Sequence, residues 1–491
     1  MGFDPAAEPQ PNPMLATALQ DIRGQRAALW DITGTCNLRC KHCYQFDRYE
    51  YDKRGRYGHD LTFEQARTVL ERLVEAGVTA IHFLGGEPLL RPDLPELIRL
   101  AKQHGIYVSI NTNGLPLTAA KAEQLAACGT DQLMVSLDGA TAGTNDEIRG
   151  QGTFAKAWRN LRAAQRAPGG GSMVVGIAFT ATRTNSGELA PLFRMALDHD
   201  VELIHVVLAL SAGNLVRFGK RFENDEALFL RCLDRALAEH GARMRDRLRV
   251  RIDLRLWPIE VLNRKHGRVL EPDPVGIRCQ GGKGFLIVQA DGRLGPCSAS
   301  LDPLWNRTAQ RRGHLLAEPE CVHELPANGI DHSPILDQFY RFQADPETWR
   351  DLAPCQRCPY FRKLCEPCPL EHPDGHRVVD QCAWAESESR LLEAQLLASS
   401  LEVGGGCRLD GPSILRQPSN QRVWIGPMMA ALLRELDDGE RSLAMVLEQS
   451  FEPPLQAEQR DQVLNALAVL MAHGVVKRRP VPMEAPCRSA S

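Results

Sequence analysis

The 491-residue sequence has almost no excess of charge of either sign and no long apolar run. Its 58 basic and 61 acidic residues give a net charge of −3, without the basic surplus typical of nucleic-acid-binding proteins. No stretch of about 18 apolar residues occurs, so we expect no transmembrane helix. The start, MGFDPAAEPQPNP, is acidic and rich in proline, unlike a secretory signal, and predicts a disordered lead-in. We therefore expect a cytoplasmic protein that binds neither membrane nor nucleic acid.

Cysteine, in contrast, is abundant, with 15 residues. A disulfide-stabilised secreted protein would be short and would carry a signal peptide, and this sequence has neither feature. Seven of the cysteines fall in two closely spaced groups, at 36–43 and 355–368, which is typical of metal ligands. Cys128 and Cys232 stand alone in helix-like segments, and we expect them to be small core residues.

From Ala27 to about Leu210, apolar strand-like segments alternate with amphipathic helix-like segments. Such repeated βα units predict a parallel sheet that is buried on both faces. Six units are too few for a complete eight-stranded barrel, so we expect an α/β fold with a partial (βα)6 TIM-type barrel. The six predicted strands are ALWDIT, AIHFLGG, IYVSINTN, QLMVSLDG, MVVGIAFTAT and LIHVVLAL.

The rest of the chain changes character three times. Residues 222–265 read as polar helix, and residues 270–385 lose periodicity and gain cysteine, proline and glycine, as where metal replaces an apolar core. Residues 401–413 read as a linker or an irregular strand pair, followed by three helix-like segments and the short strand VVKRR. The predicted divisions are a lead-in (1–25), the barrel with its helical segment (26–265), a cysteine-rich domain (266–395), a winged-helix-like domain (400–480) and a tail (481–491).

The segment TCNLRCKHCYQ places Cys36, Cys40 and Cys43 in one loop after the first predicted strand. Three thiolates can hold three irons of a [4Fe–4S] cluster and leave the fourth iron open to another ligand. A zinc site completed by His42 or by a distant residue is the alternative.

The second predicted strand ends in the sequence GGEP. Gly85 and Gly86 carry no side chains, which lets backbone carbonyls approach a ligand, and Glu87 supplies an anion beside them. Because chemistry in such folds collects at the C-terminal ends of strands, we expect this turn and the cysteine loop to lie together.

Over roughly residues 25–210, the sequence resembles the radical S-adenosylmethionine (radical SAM) enzymes. The motifs that carry this resemblance, in this order and spacing, are CNLRCKHCY, GGEPLL, NTNG and VSLDG…IRGQGTF. The resemblance implies that SAM chelates the open iron through its amino and carboxylate groups. One electron from the cluster then yields a 5′-deoxyadenosyl radical, which abstracts a substrate hydrogen. The resemblance also implies an electron donor such as flavodoxin or ferredoxin.

The resemblance implies a role for each matching residue of the SAM site. Cys36, Cys40 and Cys43 would ligate the cluster. The remaining implied contacts are Gly85, Gly86 and Glu87 to the methionine amino group, Ser136 to the ribose, and Arg149 to the methionine carboxylate.

Three further polar residues are weaker candidates. Asn113 either contacts SAM or only forms the Asn-Gly turn. Asp138 and Asp253 are candidate catalytic acids or bases, although Asp138 is also explained as the residue that holds the turn after the fourth strand.

A second set of cysteines resembles the SPASM extension of radical SAM proteins, which holds two auxiliary iron–sulfur clusters. From Cys358 through Cys365 to Cys368 the spacing is x6 and then x2, whereas the family usually has x5 and then x3. A zinc ribbon, or clusters that only stabilise the fold, are the alternatives. Cys321 could complete the inner cluster, and an open iron or a non-cysteine ligand is the alternative. The implied ligands are Cys279, Cys297 and Cys368 for the inner cluster, and Cys355, Cys358, Cys365 and Cys382 for the outer one.

Residues 414–480 resemble the PqqD-like winged-helix domains that recognise peptides. The resemblance implies that residues 400–480 bind the leader of a peptide substrate. A DNA-binding or purely structural role is the alternative, but the final helix-like segment has one arginine and two acidic residues, which suits phosphate binding poorly.

The sequence therefore predicts a radical SAM/SPASM oxidoreductase that modifies a ribosomally made peptide. A dehydrogenase, epimerase or tetrapyrrole-modifying enzyme that acts on a small molecule is the first alternative. A non-catalytic iron–sulfur or zinc regulator with a winged-helix tail is the second.

Overall fold

The structure is a computed structural model that divides into two compact units, Met1–Leu256 with Leu270–Gln381, and Trp257–Val269 with Cys382–Ser491. The predicted three-domain division stays a prediction. The described residues are 26–45, 59–167, 173–209, 214–218, 221–254, 256–267, 269–272, 281–282, 284–297, 319–344, 399–403, 407–410, 413–416, 421–424, 426–436, 442–449 and 476–480, with single helical residues between 382 and 397 and between 463 and 467.

The first unit is built on one sheet whose spatial order is β10-β9-β1-β2-β3-β4-β5-β6-β7-β8. Its strands are β1 Arg26–Asp31, β2 Val78–Leu84, β3 Tyr107–Thr112, β4 Gln132–Ser136, β5 Val174–Ala181, β6 Leu203–Leu208, β7 Arg249–Ile252, β8 Leu270–Pro272, β9 Phe285–Val288 and β10 Leu294–Gly295. Strands β1 to β8 pair in parallel with their sequence neighbours, and β9 pairs in parallel with the other side of β1. Consequently, the C-terminal ends of these strands share one edge of the sheet.

Helices connect the strands. They are α1 Phe63–Glu75, α2 Leu94–Gln103, α3 Ala119–Ala127, α4 Ala142–Arg149, α5 Thr153–Ala164, α6 Leu189–Asp198, α7 Asn214–Phe218, α8 Glu226–Met244, α9 Leu256–His266, α10 Pro334–Ala344, α11 Gly426–Leu436 and α12 Leu443–Gln449. Short 3-10 turns occupy Pro88–Leu90, Ser186–Glu188, Val322–Glu324 and Gly329–His332. Among the helices in the described part of the chain, none is both long and apolar enough to cross a membrane.

Helix α1 shows how the sequence specifies such an element. Thr62 and Gln65 cap each other's backbone N–H groups in a capping box. The apolar stripe is buried, and Gly77, with φ +74°, ends the helix in the left-handed conformation that glycine adopts easily. The buried stripe is Ala66, Val69, Leu70 and Leu73.

The predicted α/β fold with a parallel sheet is confirmed, but the predicted number of strands is too small. The six predicted strands correspond to β1 to β6, and the sheet continues through β7 and β8. Residues 222–265 were expected to be helical, yet they contain β7. This strand has only four residues, RVRI, of which two are arginines, so it lacks the apolar run by which strands are recognised.

The second unit combines antiparallel strands with helices α11 and α12. Strand β11 (Ser399–Val403) pairs with β15 (Val476–Pro480), and β12 (Cys407–Asp410), β13 (Ser413–Arg416) and β14 (Gln421–Trp424) form a separate sheet. The helices bury residues at helical spacing. The core consists of Leu401, Met429, Leu432, Leu433, Leu436, Leu443, Val446, Leu447, Val463, Leu464, Leu467 and Val476.

This second unit agrees in part with the predicted order of elements, because β14 and most of β13, which lie after residue 413, were not predicted. Residues 401–413, expected to be a linker or an irregular strand pair, contain the end of β11, β12 and the start of β13. Most of the last predicted helix lies outside the described residues, and its assignment as part of a winged helix stays a prediction.

The packing of α1 predicts the effect of truncating its buried stripe. Leu70 is 1% exposed, so Leu70→Ala should lower the free energy of unfolding by about 2–5 kcal/mol, because a cavity forms where the methyl groups were. Urea unfolding followed by circular dichroism would measure this. The adjacent Glu71→Ala variant is the control, since Glu71 is exposed; an equal effect of both variants would contradict the packing.

Candidate active site

The cysteine loop after β1 is held by backbone hydrogen bonds to the turn after β2. The N–H groups of Gly86 and Glu87 donate to the carbonyls of Thr33 and Thr35, both at 2.7 Å. A Cβ atom built on Gly85 or Gly86 would overlap those same two carbonyl groups. The two glycines are therefore required for packing between the turns; their contact with a ligand stays a prediction.

Glu87 is buried at this junction, with 1% of its surface exposed. Its Oε1 accepts hydrogen bonds from Thr112 Oγ1 (2.6 Å) and Leu89 N–H (3.1 Å), and its Oε2 accepts one from Asn113 N–H (2.7 Å). Burial raises the pKa of Glu87 although these hydrogen bonds oppose the rise. Because a carboxylate oxygen has two lone pairs, Oε2 can still accept a donor from a ligand.

Asn113 forms the predicted turn and also contacts the cysteine loop. Its Oδ1 accepts from Leu115 N–H at 2.9 Å, which closes the Asn-Gly turn. Its Nδ2 donates to Asn37 Oδ1 at 2.7 Å, and Asn37 directly follows Cys36. The side chain thus joins the end of β3 to the cysteine loop, and direct contact with SAM stays a prediction.

The cysteine loop is further fixed by Asn214, the first residue of α7. Its Nδ2 donates to the carbonyl of Cys40 at 2.8 Å and its N–H donates to the carbonyl of Cys43 at 3.0 Å. Cys40 is buried, whereas Cys36 and Cys43 are half-buried. No sequence motif marks Asn214, so this contact could not be predicted from the sequence.

The three thiols lie close enough to influence one another's ionisation. Burial raises the pKa of Cys40 to about 12; Cys43 and Cys36 add to the rise, and Arg149 opposes it. Burial also raises the pKa of Cys36, with Glu87 adding to it and Arg149 opposing it. Such thiols stay protonated at neutral pH until a metal displaces the proton.

The donor set fits a [4Fe–4S] cluster better than a single zinc ion. Within the described parts of the chain, no three His, Cys, Asp or Glu side chains converge as the ligands of one ion. The ligands of a cluster surround one centre too but lie farther apart than the ligands of one ion, because each thiolate binds a different iron. His42, the proposed fourth zinc ligand, has its Nε2 2.5 Å from Asp138 Oδ2 instead.

Asp138 is the centre of a buried ionic cluster. Its Oδ2 lies 2.5 Å from His42 Nε2 and 2.5 Å from Arg149 Nε, and its Oδ1 accepts from Thr180 N–H at 2.8 Å. Burial would raise the pKa of Asp138, but Arg149 and His42 outweigh it and hold the pKa well below its usual range. A carboxylate held this way transfers protons poorly, so the geometry favours a structural role over the candidate catalytic one.

Arg149 ends α4 and is buried, with 8% of its surface exposed. Burial tends to lower its pKa, but Asp138 and Cys40 raise it, so the guanidinium stays charged. Its charge also acts on Glu87 and Cys36. The positive Arg149 and the negative Glu87 therefore both act on the loop that carries Cys36.

The two other candidates of the first unit are less informative. Ser136 is the last residue of β4 and half-buried, at the same edge of the sheet as the cysteine loop. Asp253 follows β7, and its N–H donates to the carbonyl of Val206 at 2.9 Å. Their predicted roles stay predictions.

The β9–β10 hairpin carries part of the second cysteine set. Gly292, with φ +88°, lies in its turn, and at the open end Gly282 N–H donates to Pro296 carbonyl at 3.0 Å. The chain on either side of the hairpin thus meets at Gly282 and Pro296, and the pairing of Cys279 with Cys297 stays a prediction. Cys297 is half-buried and Cys382 buried. The other five predicted ligands lie outside the described residues: Cys279, Cys355, Cys358, Cys365 and Cys368.

Cys321 lies at the other end of this hairpin. It forms an isolated β-bridge with Arg293, and its Sγ is 3.9 Å from the carbonyl of Asp291. Cys297 lies four residues beyond Arg293, in a bend that follows β10. The role of Cys321 as the fourth ligand of the inner cluster stays a prediction.

Gly86 provides a direct test of the packing at the cysteine loop. A methyl group there would strike the Thr35 carbonyl, so Gly86→Ala should cost about 1–3 kcal/mol and lower the iron content after anaerobic reconstitution. Gly143→Ala is the control, because a Cβ at this position in α4 meets no atom within 4 Å. Normal iron loading of the Gly86 variant would contradict the described packing.

Residues 30–180 match the family model described as the radical SAM superfamily. The chain is 36% identical over 186 residues to the pre-heme d1 synthase of Dinoroseobacter shibae, which covers 38% of this chain and 44% of that protein. It is 36% identical over 160 residues to the mycofactocin maturase MftC of Mycobacterium tuberculosis, covering 33% and 39% respectively. It is 27% identical over 358 residues to an AdoMet-dependent heme synthase of Methanosarcina barkeri, covering 70% and 90%. The chain thus spans less than half of the first two relatives.

Solved structures show a related fold. The anSMEcpe enzyme with bound AdoMet and the Kp18Cys peptide superposes with a TM-score of 0.52 at 16% identity, over 75% of this chain and 99% of that chain. Streptococcus suis SuiB bound to precursor peptide SuiA gives a TM-score of 0.50 at 15% identity, over 75% and 80%. These two structures are similar to this chain in fold, and residues 30–180 of the first unit match the radical SAM family model.

Proposed function

We propose that this chain is a radical SAM/SPASM enzyme that modifies a ribosomally made peptide. The observation that supports the radical chemistry most directly is the position of the three thiols of Cys36, Cys40 and Cys43. They lie in one loop at the C-terminal edge of a parallel sheet, within electrostatic reach of Arg149 and close to Glu87.

In this proposal the three cysteines hold a [4Fe–4S] cluster and the neighbouring charges bind SAM. A cluster bound there would supply the electron for the reductive cleavage of SAM. Glu87 Oε2 accepts the methionine ammonium, and Arg149 donates to the methionine carboxylate. These opposite charges suit the two charged groups of one amino acid.

The second unit supports a peptide as the substrate. Among the described residues, β11 and β15 pair only with each other, so each has one edge to which an extended peptide can add as a further strand. The sequence of β15, VKRRP, carries three cations, which suits an acidic segment of a leader. MftC is named as a maturase, and SuiB was solved with its precursor peptide.

The cysteines of residues 266–395 would hold two auxiliary clusters. After the substrate loses a hydrogen atom, the remaining radical must lose one further electron to complete a two-electron oxidation. A cluster near the hairpin end, with Cys279 and Cys297 among its ligands, would accept that electron. The close approach of Gly282 and Pro296 supports this pairing.

A tetrapyrrole is the second candidate substrate. The alignment to the AdoMet-dependent heme synthase of Methanosarcina barkeri covers 90% of that protein, which is more of a relative's length than the maturase alignment covers. It covers 70% of this chain, and about 30% therefore lies outside it. A peptide-binding segment within that remainder would distinguish the two functions.

The iron content tests the proposed clusters. Anaerobically prepared protein should hold roughly twelve irons. Replacement of Cys36, Cys40 and Cys43 together by Ala should lower this content by about four irons. Colorimetric iron and sulfide assays would measure this. Cys128→Ala is the control, since Cys128 is a solitary buried cysteine, and should keep the full content. Roughly four irons in the unaltered protein would contradict the auxiliary clusters.

The substrate class is tested with host extract separated by size. Cluster-loaded full-length protein with SAM and a strong reductant should release more 5′-deoxyadenosine when the peptide fraction is added. Liquid chromatography with mass detection would measure the nucleoside. Stimulation by the small-metabolite fraction alone would reject the peptide and support the tetrapyrrole or another small molecule.

A further inference from the structure

We propose that Asp138 is a positioning residue that couples the cysteine loop to Arg149 and thereby sets the affinity for SAM. Its carboxylate joins two elements that must cooperate at the site: His42 inside the cysteine loop, and Arg149 at the end of α4. The proposal rests on the proposed function, since it takes SAM as the ligand of Arg149.

One oxygen atom of Asp138 makes both connections. Oδ2 lies 2.5 Å from His42 Nε2 and 2.5 Å from Arg149 Nε. The residue is fully buried, with 0% of its surface exposed, so water does not compete for this oxygen. Asp138 thus links the two side chains through a hydrogen bond with His42 and an ion pair with Arg149, whose Nε makes no hydrogen bond among the described residues.

The carboxylate is itself rigidly placed. The N–H of Asp138 donates to Asn145 Oδ1 at 2.9 Å, and its carbonyl accepts from Asn185 Nδ2 at 3.0 Å. The second carboxylate oxygen accepts from Thr180 N–H at 2.8 Å. Backbone and side chain are thus anchored to both α4 and the end of β5.

The same two elements also meet through the backbone. Lys41 N–H donates to the carbonyl of Ile148 at 2.9 Å, so residues next to His42 and Arg149 are already in contact. Asp138 adds the electrostatic connection to this backbone one. Two links of different kind indicate that the cysteine loop and the end of α4 behave as a single body.

Removal of the Asp138 charge would leave Arg149 buried without its ionic partner. The other opposite charges that act on Arg149 are the thiolates of Cys40 and Cys43 and the carboxylate of Glu87. A guanidinium drawn toward them no longer presents its donors to a ligand carboxylate. Asp138 therefore keeps Arg149 available for SAM rather than for its own neighbours.

The test is Asp138→Asn, which keeps the size of the side chain and removes its charge. We expect the dissociation constant for SAM to rise at least about tenfold while the iron content stays unchanged. Titration of the reduced cluster's electron paramagnetic resonance spectrum with SAM measures the affinity. In steady state the KM for SAM should rise more than kcat falls.

Asp131→Asn is the matched control. Asp131 lies at the opposite end of β4 and likewise binds one cation and one backbone N–H, Lys102 Nζ at 2.6 Å and Val108 N–H at 2.7 Å. It should keep the unaltered SAM affinity. An unchanged dissociation constant in Asp138→Asn, or an equal rise in both variants, would overturn the proposal.

His42→Gln provides an independent test, and it decides the matter if Asp138→Asn does not fold. Because the coupling runs from His42 through Asp138, His42→Gln alone should weaken SAM binding. The double variant with Asp138→Asn should bind SAM little more weakly than either single variant. An unchanged affinity in His42→Gln, or effects that multiply in the double variant, would overturn the coupling. Failure of the proposed function is distinguishable from failure of this coupling, because the unaltered, iron-loaded protein would then bind no SAM.

Discussion

Two backbone hydrogen bonds support the rest of the site. They run from the N–H groups of Gly86 and Glu87 to the carbonyls of Thr33 and Thr35, and they hold the cysteine loop against the neighbouring strand end. Only glycine at positions 85 and 86 allows this approach, because any side chain would strike the same carbonyls. The parallel sheet then determines what else lies nearby, since it gathers the C-terminal ends of its parallel strands at one edge.

Charge is the second constraint on this edge. Glu87, Asp138 and Arg149 are all nearly inaccessible to solvent, and buried charges are stable only when they are paired or hydrogen-bonded. Asp138 is paired directly with the Arg149 guanidinium, whereas Glu87 accepts hydrogen bonds only from uncharged donors among the described residues. The site thus combines one ionic cluster, which gives rigidity, with one carboxylate that can pair with a cation of a ligand.

The sequence predicted local features well and long-range contacts poorly. Strands β1 to β6, the capping box of α1 and the cysteine loop are encoded in short patterns of apolar residues and spacing. Strands β7 and β8 were missed because they are short, and β8 has only three residues. The bonds of Asn214 to the cysteine loop and of His42 to Asp138 connect residues about a hundred or more positions apart, so only the fold brings them together. Likewise, the position of Cys321 at the turn of the hairpin follows from strand pairing and not from cysteine spacing.

The central claim is that the loop of Cys36, Cys40 and Cys43 supports reductive cleavage of SAM. The most direct measurement is the release of 5′-deoxyadenosine and methionine from SAM by reduced, iron-loaded protein in the absence of oxygen. The account predicts that both products form in equal amounts and that neither forms without the reductant. Iron-loaded protein that binds SAM and releases neither product under strong reductant would contradict it.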